Sequence, residues 1–313
     1  MESQLMLSRE EIKERLAEIF DPEPDEDGLI PVMYPHKRLR QRFGLDTSYV
    51  KKSAFDYEGS STHEDTRLID PSDQAIPGVL FSNLNLADQL FDAAFRLFGD
   101  SLLAYCEGDE ISIFRYYPPA IMTLWSGFEA QGRFLSELLL ITVPDIPEPV
   151  KAQLLEYELA LDHRSEVVRR DRSYPILDRY RTLLRYGYSY QADRGSPYWQ
   201  RGDKARRLRN YLVHVDVRES RGITADEVLN FMEDVLMLFI TPSCMIGKSI
   251  FLGQFRFHNI VTDLRELVFP HTEQPFFGDR KFREKFLLHC NFNGVDATRF
   301  PNTHQLSNTE TKQ

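Results

Sequence analysis

Apolar side chains recur every three to four residues over long stretches of this chain, the spacing of amphipathic helices. "LSREEIKERLAEIF" (7–20) opens with Ser8 at an N-cap position and then keeps that period. "DPEPDEDG" (21–28) is acidic and broken by proline, which predicts a solvated loop or linker. Residues 44–80 are polar and weakly patterned, and no element is assigned to them. "NLADQLFDAAFRLFGDSLLAYCEG" (85–108) returns to helical spacing and stops on a glycine. "ISIFRYY" fits a short strand or the lead into a helix, and its period does not choose.

From Pro119 onward the pattern is simpler. "AIMTLWSGFEAQGRFLSELLLITV" reads as a long apolar helix and "EPVKAQLLEYELALDHRSEVVRRD" as a second. "PILDRYRTLLRYGYSY" is its continuation past a proline break or a separate helix. "RGDKARRLRNYLVHVDV" is another, and "TADEVLNFMEDVLMLFI" follows with Thr224 as N-cap and Glu227 three residues on, a capping-box pattern. After Pro242 the chain is rich in phenylalanine, and "FLGQFRFHNIVTDLRELVF" and "DRKFREKFLLHCNF" read as two shorter helices.

Strand signals are few. The fold class is therefore mostly α: an antiparallel helical bundle with helical N- and C-terminal extensions. The organisation reads as an N-terminal helical and loop region (1–116), suited to a regulatory or sensor role, and the bundle (117–241). An aromatic-rich helical extension (242–300) and a polar tail (301–313) follow.

Composition narrows the classes. At 313 residues the chain can bury a substantial core. The formal net charge of −10 confines any nucleic-acid site to a local basic patch on an acidic body. The three cysteines, Cys106, Cys244 and Cys290, are far apart, which argues against a disulfide framework or a structural zinc. The N-terminus lacks the basic flank and apolar core of a signal peptide, and no uninterrupted apolar run is long enough to cross a bilayer. A cytoplasmic protein without membrane contact is the expectation.

The chemistry concentrates in "RRLRNYLVHVD" (206–216). Leu208, Tyr211, Leu212 and Val215 form one apolar stripe, which leaves Arg209, Asn210 and His214 off it. "RNYLVH" resembles the R-x(4–6)-H motif of the HEPN superfamily, small helical-bundle domains of which many are metal-independent ribonucleases. In that family the motif closes a bundle helix, and a loop and an amphipathic helix follow, as "VRESRGITADEVLNFMEDVLMLFI" does here. Many members also carry Glu-x3-Lys/Arg in an earlier helix, and "FEAQGR" supplies Glu129 and Arg133 at that spacing. The resemblance covers roughly residues 117–241. Some members that act as toxins beside a nucleotidyltransferase antitoxin carry Tyr two residues after the His; this chain has Asp216 there, which points away from that subgroup.

The resemblance implies cleavage of RNA through its own 2′-hydroxyl. Histidine can take or give the proton, and arginine stays cationic and fits phosphate oxygens with two parallel hydrogen bonds. On an ideal helix Arg209 and His214 point roughly 140° apart, so one straight helix makes no compact site. Either the helix end is distorted near Asn210, or two copies face each other. The family resemblance implies the second, a composite site at a homodimer interface. Asn210 would orient the histidine or a phosphate, and Glu129 would position Arg209. Arg201, Lys204, Arg206 and Arg207 crowd the approach and would track an RNA backbone, with "RRDR" (169–172) as an extension. No cofactor or metal is implied.

Each residue has a plainer reading. Arg209 can be a surface ion-pair residue and His214 a cation at a helix C-terminus. Glu129 and Arg133 can be a simple i,i+4 salt bridge, and the basic run a solvated face. "MIGKS" (245–249) resembles the end of a phosphate-binding loop, but Pro242 stands where that loop needs glycine. His36, His63, His163, His258, His271, His289 and His304 show no metal-ligand spacing, and the phenylalanines after 250 read as core.

The leading expectation is a metal-independent endoribonuclease acting as a homodimer or higher oligomer. Family members of this kind serve as toxins, in anti-phage defence or in RNA processing, which implies an antitoxin or activator partner. The alternatives are a non-catalytic dimerisation or nucleotide-binding scaffold, and a sensor housed in the flanks.

Overall fold

The computed structural model describes residues 7–22, 37–47, 78–106, 113–161, 163–164, 166–213 and 223–268. In chain order they form α1 (Arg9–Phe20), α2 (Lys37–Phe43), α3 (Gly78–Cys106), α4 (Ile113–Thr142) and α5 (Glu148–Leu154). A hairpin of β1 (Tyr157–Leu161) and β2 (Val167–Asp171) follows, then α6 (Ile176–Tyr188), α7 (Pro197–Val213), α8 (Ala225–Ile246) and α9 (Gln254–Val268). The chain is mostly α, as its periodicity predicts. The second phenylalanine-rich stretch, the acidic linker beyond Pro22, Cys290 and the polar tail lie outside the described residues.

Two helix starts follow directly from local chemistry. Ser8 and Thr224 each accept from the backbone N–H three residues on, while Glu11 and Glu227 reach back to the cap's own N–H. The described part of "ISIFRYY" is helical: α4 starts at Ile113 and runs through Pro118 and Pro119.

The expected second bundle helix is corrected. It stops after Leu154, and Glu156 adopts φ 58, reversing the chain. An antiparallel hairpin replaces it, with Tyr157 opposite Asp171 and Leu161 opposite Val167. The reason is legible afterwards: Tyr157, Leu159 and Leu161 recur at every second position, and Val167 and Val168 are β-branched. Tyr157 donates its hydroxyl to Glu148 at 2.6 Å, and the Arg169 guanidinium lies 4.6 Å from its ring centre, which anchors the hairpin to α5. "PILDRYRTLLRYGYSY" is thus a separate helix.

α8 is the centre. Val228, Leu229, Met232, Val235, Leu236, Leu238, Phe239 and Ile240 are each completely buried, by neighbours that include α4, α7 and α9. By length and composition α8 could cross a membrane, but 72% of its most apolar window is buried inside the fold. Around Phe239 the rings of Phe91, Phe128, Tyr180 and Phe251 pack within 5.2–6.2 Å. One hydrophobic cluster runs from Ile12 to Val268, so α1, α3 and α9 share the core of the bundle helices. Arg256 of α9 ties to α3 through Asp92 at 2.9 Å, and Arg96 joins α3 to Asp21 at 2.8 Å.

Pro242 sits inside α8, past the residue where sequence reading ends the helix. It has no N–H to offer the carbonyl four residues back, which is Leu238. Tyr180, fully buried on α6, donates its hydroxyl to that oxygen at 2.9 Å. The helix then ends on Gly247 at φ 77, whose N–H bonds to Ser243. Tyr180→Phe is expected to cost roughly 1–3 kcal/mol in urea unfolding, the cost of a buried unsatisfied carbonyl. In a Pro242→Ala background, where residue 242 regains an N–H for Leu238, the same change should cost clearly less. Equal losses in both backgrounds would show that the bond does not serve this purpose.

Candidate functional site

α7 carries the sequence motif. Its entry is a turn in which Asp193 accepts from Gly195 N at 2.8 Å and from the Ser196 hydroxyl at 2.6 Å. Trp199, Gly202 and Ala205 then face the core. A Cβ on Gly202 would meet Leu238 Cδ2 at 2.5 Å, so the missing side chain lets α7 lie close on α8.

The motif residues fall on the last turns of α7. Arg209 is half-buried; its guanidinium NH1 donates to Asn210 Oδ1 at 3.2 Å, and its Nε is shielded from solvent without a hydrogen bond among the described residues. Asn210 thus accepts from the arginine through its side-chain oxygen. His214, the last member of the motif, lies outside the described residues.

Glu129 and Arg133 do not play the parts expected of them. Glu129 accepts from Trp125 Nε1 at 2.8 Å, and Arg133 pairs with Glu137 at 3.1 Å on a 79% exposed side chain. Neither is bonded to the other or to Arg209. The reason lies in helix spacing: Trp125 and Glu137 each sit four positions away on the same face.

The basic run is partly engaged. Asp203 binds Arg206 and Arg207, each at 2.8 Å. Burial works against the charge on Asp203, yet these two guanidiniums hold its carboxyl below the usual range. Arg201 lies 5.0 Å from the centre of the Phe43 ring, with Arg42 5.2 Å from the same ring. Lys204 makes no hydrogen bond or ion pair among the described residues. On the hairpin, Arg172 is bound by Glu158 at 3.0 Å.

Beside the motif lies a cleft of about 270 Å³ between α7 and α8. Lys204, Arg207, Leu208 and Tyr211 line it from α7, one helical stripe at i, i+3, i+4 and i+7. Glu227, Asn230, Phe231 and Asp234 line it from α8 with the same spacing. The helices run antiparallel, with Gly202 against Leu238 and Lys204 near Asp234.

Glu233 and Asp234 are the buried carboxylates among the described residues, and they are treated very differently. Glu233 accepts from Arg42 at 2.8 Å and has Arg265 at 3.8 Å. Asp234 is 7% exposed and has no hydrogen bond or ion pair among the described residues. Burial pushes its carboxyl up to about 6, against the pull of Arg201 and Lys204. Sequence reading missed it, although a Glu–Asp pair inside the apolar run "NFMEDVLMLFI" is a signal: one of the two must face the core.

Two further groups can be set aside. Burial pushes the Cys244 thiol up to about 12, which leaves no thiolate for nucleophilic work at neutral pH. Among the described residues no three His, Cys, Asp or Glu side chains are grouped to hold a metal ion. Compared with family models, with curated proteins and with solved structures, the chain matches none.

The pH dependence of stability follows from Asp234. Its folded carboxyl keeps a proton that the unfolded chain releases near its ordinary value of 3.8, so stability falls as pH rises from there through about 6. Asp234→Asn removes that loss. In urea unfolding the variant should match wild type near pH ~4 and gain up to about 3 kcal/mol over it by pH ~7. A constant difference across that range would contradict the assignment.

Proposed function

We propose that this protein is a metal-independent endoribonuclease of HEPN type, working as a homodimer whose two motif helices complete one site. The observation that carries this reading is the Arg209–Asn210 pair at the end of α7. A guanidinium is held there by its neighbour, with a shielded Nε–H that has no partner among the described residues. A buried unsatisfied donor is costly, and a phosphate oxygen is the acceptor that arginine geometry fits best.

In the proposed reaction His214 takes the proton from a ribose 2′-hydroxyl. The 2′-oxygen attacks the adjacent phosphorus, and the bond from phosphorus to the 5′-oxygen breaks. The partner subunit's His214 gives the leaving oxygen its proton. The products are a 2′,3′-cyclic phosphate and a free 5′-hydroxyl. Arg209 neutralises the charge that grows on the phosphate, a role that does not require it to move. Lys204 and Arg201 would meet the incoming backbone. A cytoplasmic toxin or anti-phage effector restrained by an antitoxin or activator protein fits this chemistry.

The test is RNA cleavage by the purified full chain in excess EDTA, beside His214→Ala and Arg209→Ala proteins shown to be folded. Each substitution should lower the rate by about 10²-fold or more. Cleavage that persists at the wild-type rate in both variants would overturn the site. A wild type that cuts no RNA, with substitutions that change only stability, would favour the scaffold reading.

A further inference from the structure

The α7–α8 cleft holds five charged or amide side chains, and three are already committed. Arg207 is bound by Asp203. Glu227 closes the capping box on Thr224. Asn230 donates to Asp226 at 2.7 Å and accepts from Arg265 at 2.9 Å, so its amide is fixed at both ends. What remains is a buried carboxylate without a donor, Asp234, with the uncommitted cation Lys204 beside it.

That pair specifies a ligand. A ligand that displaces water from the cleft must offer Asp234 N–H donors, because an acceptor cut off from water and left without one is costly. Those donors are not an ammonium or guanidinium group, since Lys204 and Arg201 already place positive charge near Asp234. They must come from a neutral edge, on a molecule that also carries an anion for Lys204. The walls between them are apolar and aromatic, from Leu208, Phe231 and Tyr211. A nucleotide has all three features: a flat base, a donor edge and a phosphate.

The four bases differ in what they offer a carboxylate. Guanine presents a ring N–H and an amino group side by side, two donors for two oxygens. Adenine and cytosine each set an acceptor next to their amino group, and uracil flanks its single N–H with carbonyls. An acceptor facing a carboxylate oxygen is repulsive, so guanine is the base that fits.

The geometry points to a guanine subsite in the α7–α8 cleft, with Asp234 accepting from the base's ring N–H and amino group and Lys204 meeting its phosphate. This rests on the ribonuclease reading only for the source of the nucleotide, which is RNA. It gives the enzyme a preference for cutting beside guanosine. It also explains why a carboxylate that weakens the fold is kept on the central helix.

The experiment is calorimetric titration of the full chain with the 3′-monophosphates of guanosine, adenosine, cytidine and uridine, and with guanosine alone. Wild type should bind 3′-GMP about tenfold or more tightly than the other three nucleotides. Asp234→Asn, close to isosteric, should erase that preference while melting no lower than wild type. Lys204→Ala should weaken all four nucleotides alike and leave guanosine binding unchanged. Equal binding of the four, no binding of any, or a guanine preference that survives Asp234→Asn would overturn the subsite.

Cleavage of a mixed-sequence RNA by the same preparations separates the two readings. Cutting without preference for guanosine overturns the subsite and leaves the ribonuclease standing. A protein that binds 3′-GMP through Asp234 but cuts nothing overturns the ribonuclease and supports the subsite.

Discussion

The fold depends on a helix that cannot face water. α8 is apolar on nearly every side, so its neighbours have to cover it, and α4, α7 and α9 pack against it while α6 reaches its backbone through Tyr180. Burying a helix this completely removes water as a partner for its backbone and its polar side chains. Each departure from ideal helix then needs a protein group to answer it. At Leu238 the answer is Tyr180, and at the helix end it is Gly247 and the buried Ser243, which accepts from Ile250 N at 2.9 Å and donates to Gln254 at 2.9 Å. At Glu233 it is a pair of arginines from α2 and α9. Asp234 and the Thr241 hydroxyl have no hydrogen-bond partner among the described residues, and of the two Asp234 lines a cleft, where a ligand can reach it.

The same constraint fixes the motif. α7 lies against α8 through Gly202, with little freedom to slide because Leu238 fills the space a side chain would take. Arg209 and the cleft are therefore set on a rigid element, the arrangement that catalysis by preorganised charge requires. On an ideal helix Arg209 points away from the stripe that lines the cleft, so the proposed guanine subsite and Arg209 sit on different faces of α7.

Much of this was readable from local chemistry alone. The caps at Ser8 and Thr224 sit where a hydroxyl precedes a glutamate by three residues, and no tertiary contact is needed to see them. The hairpin was harder. Residues 148–161 satisfy a helical period for two turns before alternation takes over, and only the left-handed Glu156 marks the change. Glu129 looked like a partner for Arg133 or Arg209 because spacing ignores competition. Trp125 has the same i,i+4 relation to Glu129, and its indole N–H needs a partner once the ring is buried. Asp234 was overlooked for the opposite reason. Its exposure is decided by which helices cover α8, and that is tertiary information.

The central claim is that RNA supplies its own nucleophile and this protein supplies charge and protons. The most direct measurement uses one short RNA cut at a known position, and its twin with a 2′-O-methyl group on the single ribose before that position. Mass spectrometry of the products in EDTA should find a 2′,3′-cyclic phosphate and a 5′-hydroxyl from the first, and no cut at that position in the second. A cut in the methylated strand, or a 5′-phosphate from the unmodified one, would mean that water is the nucleophile and would contradict the account.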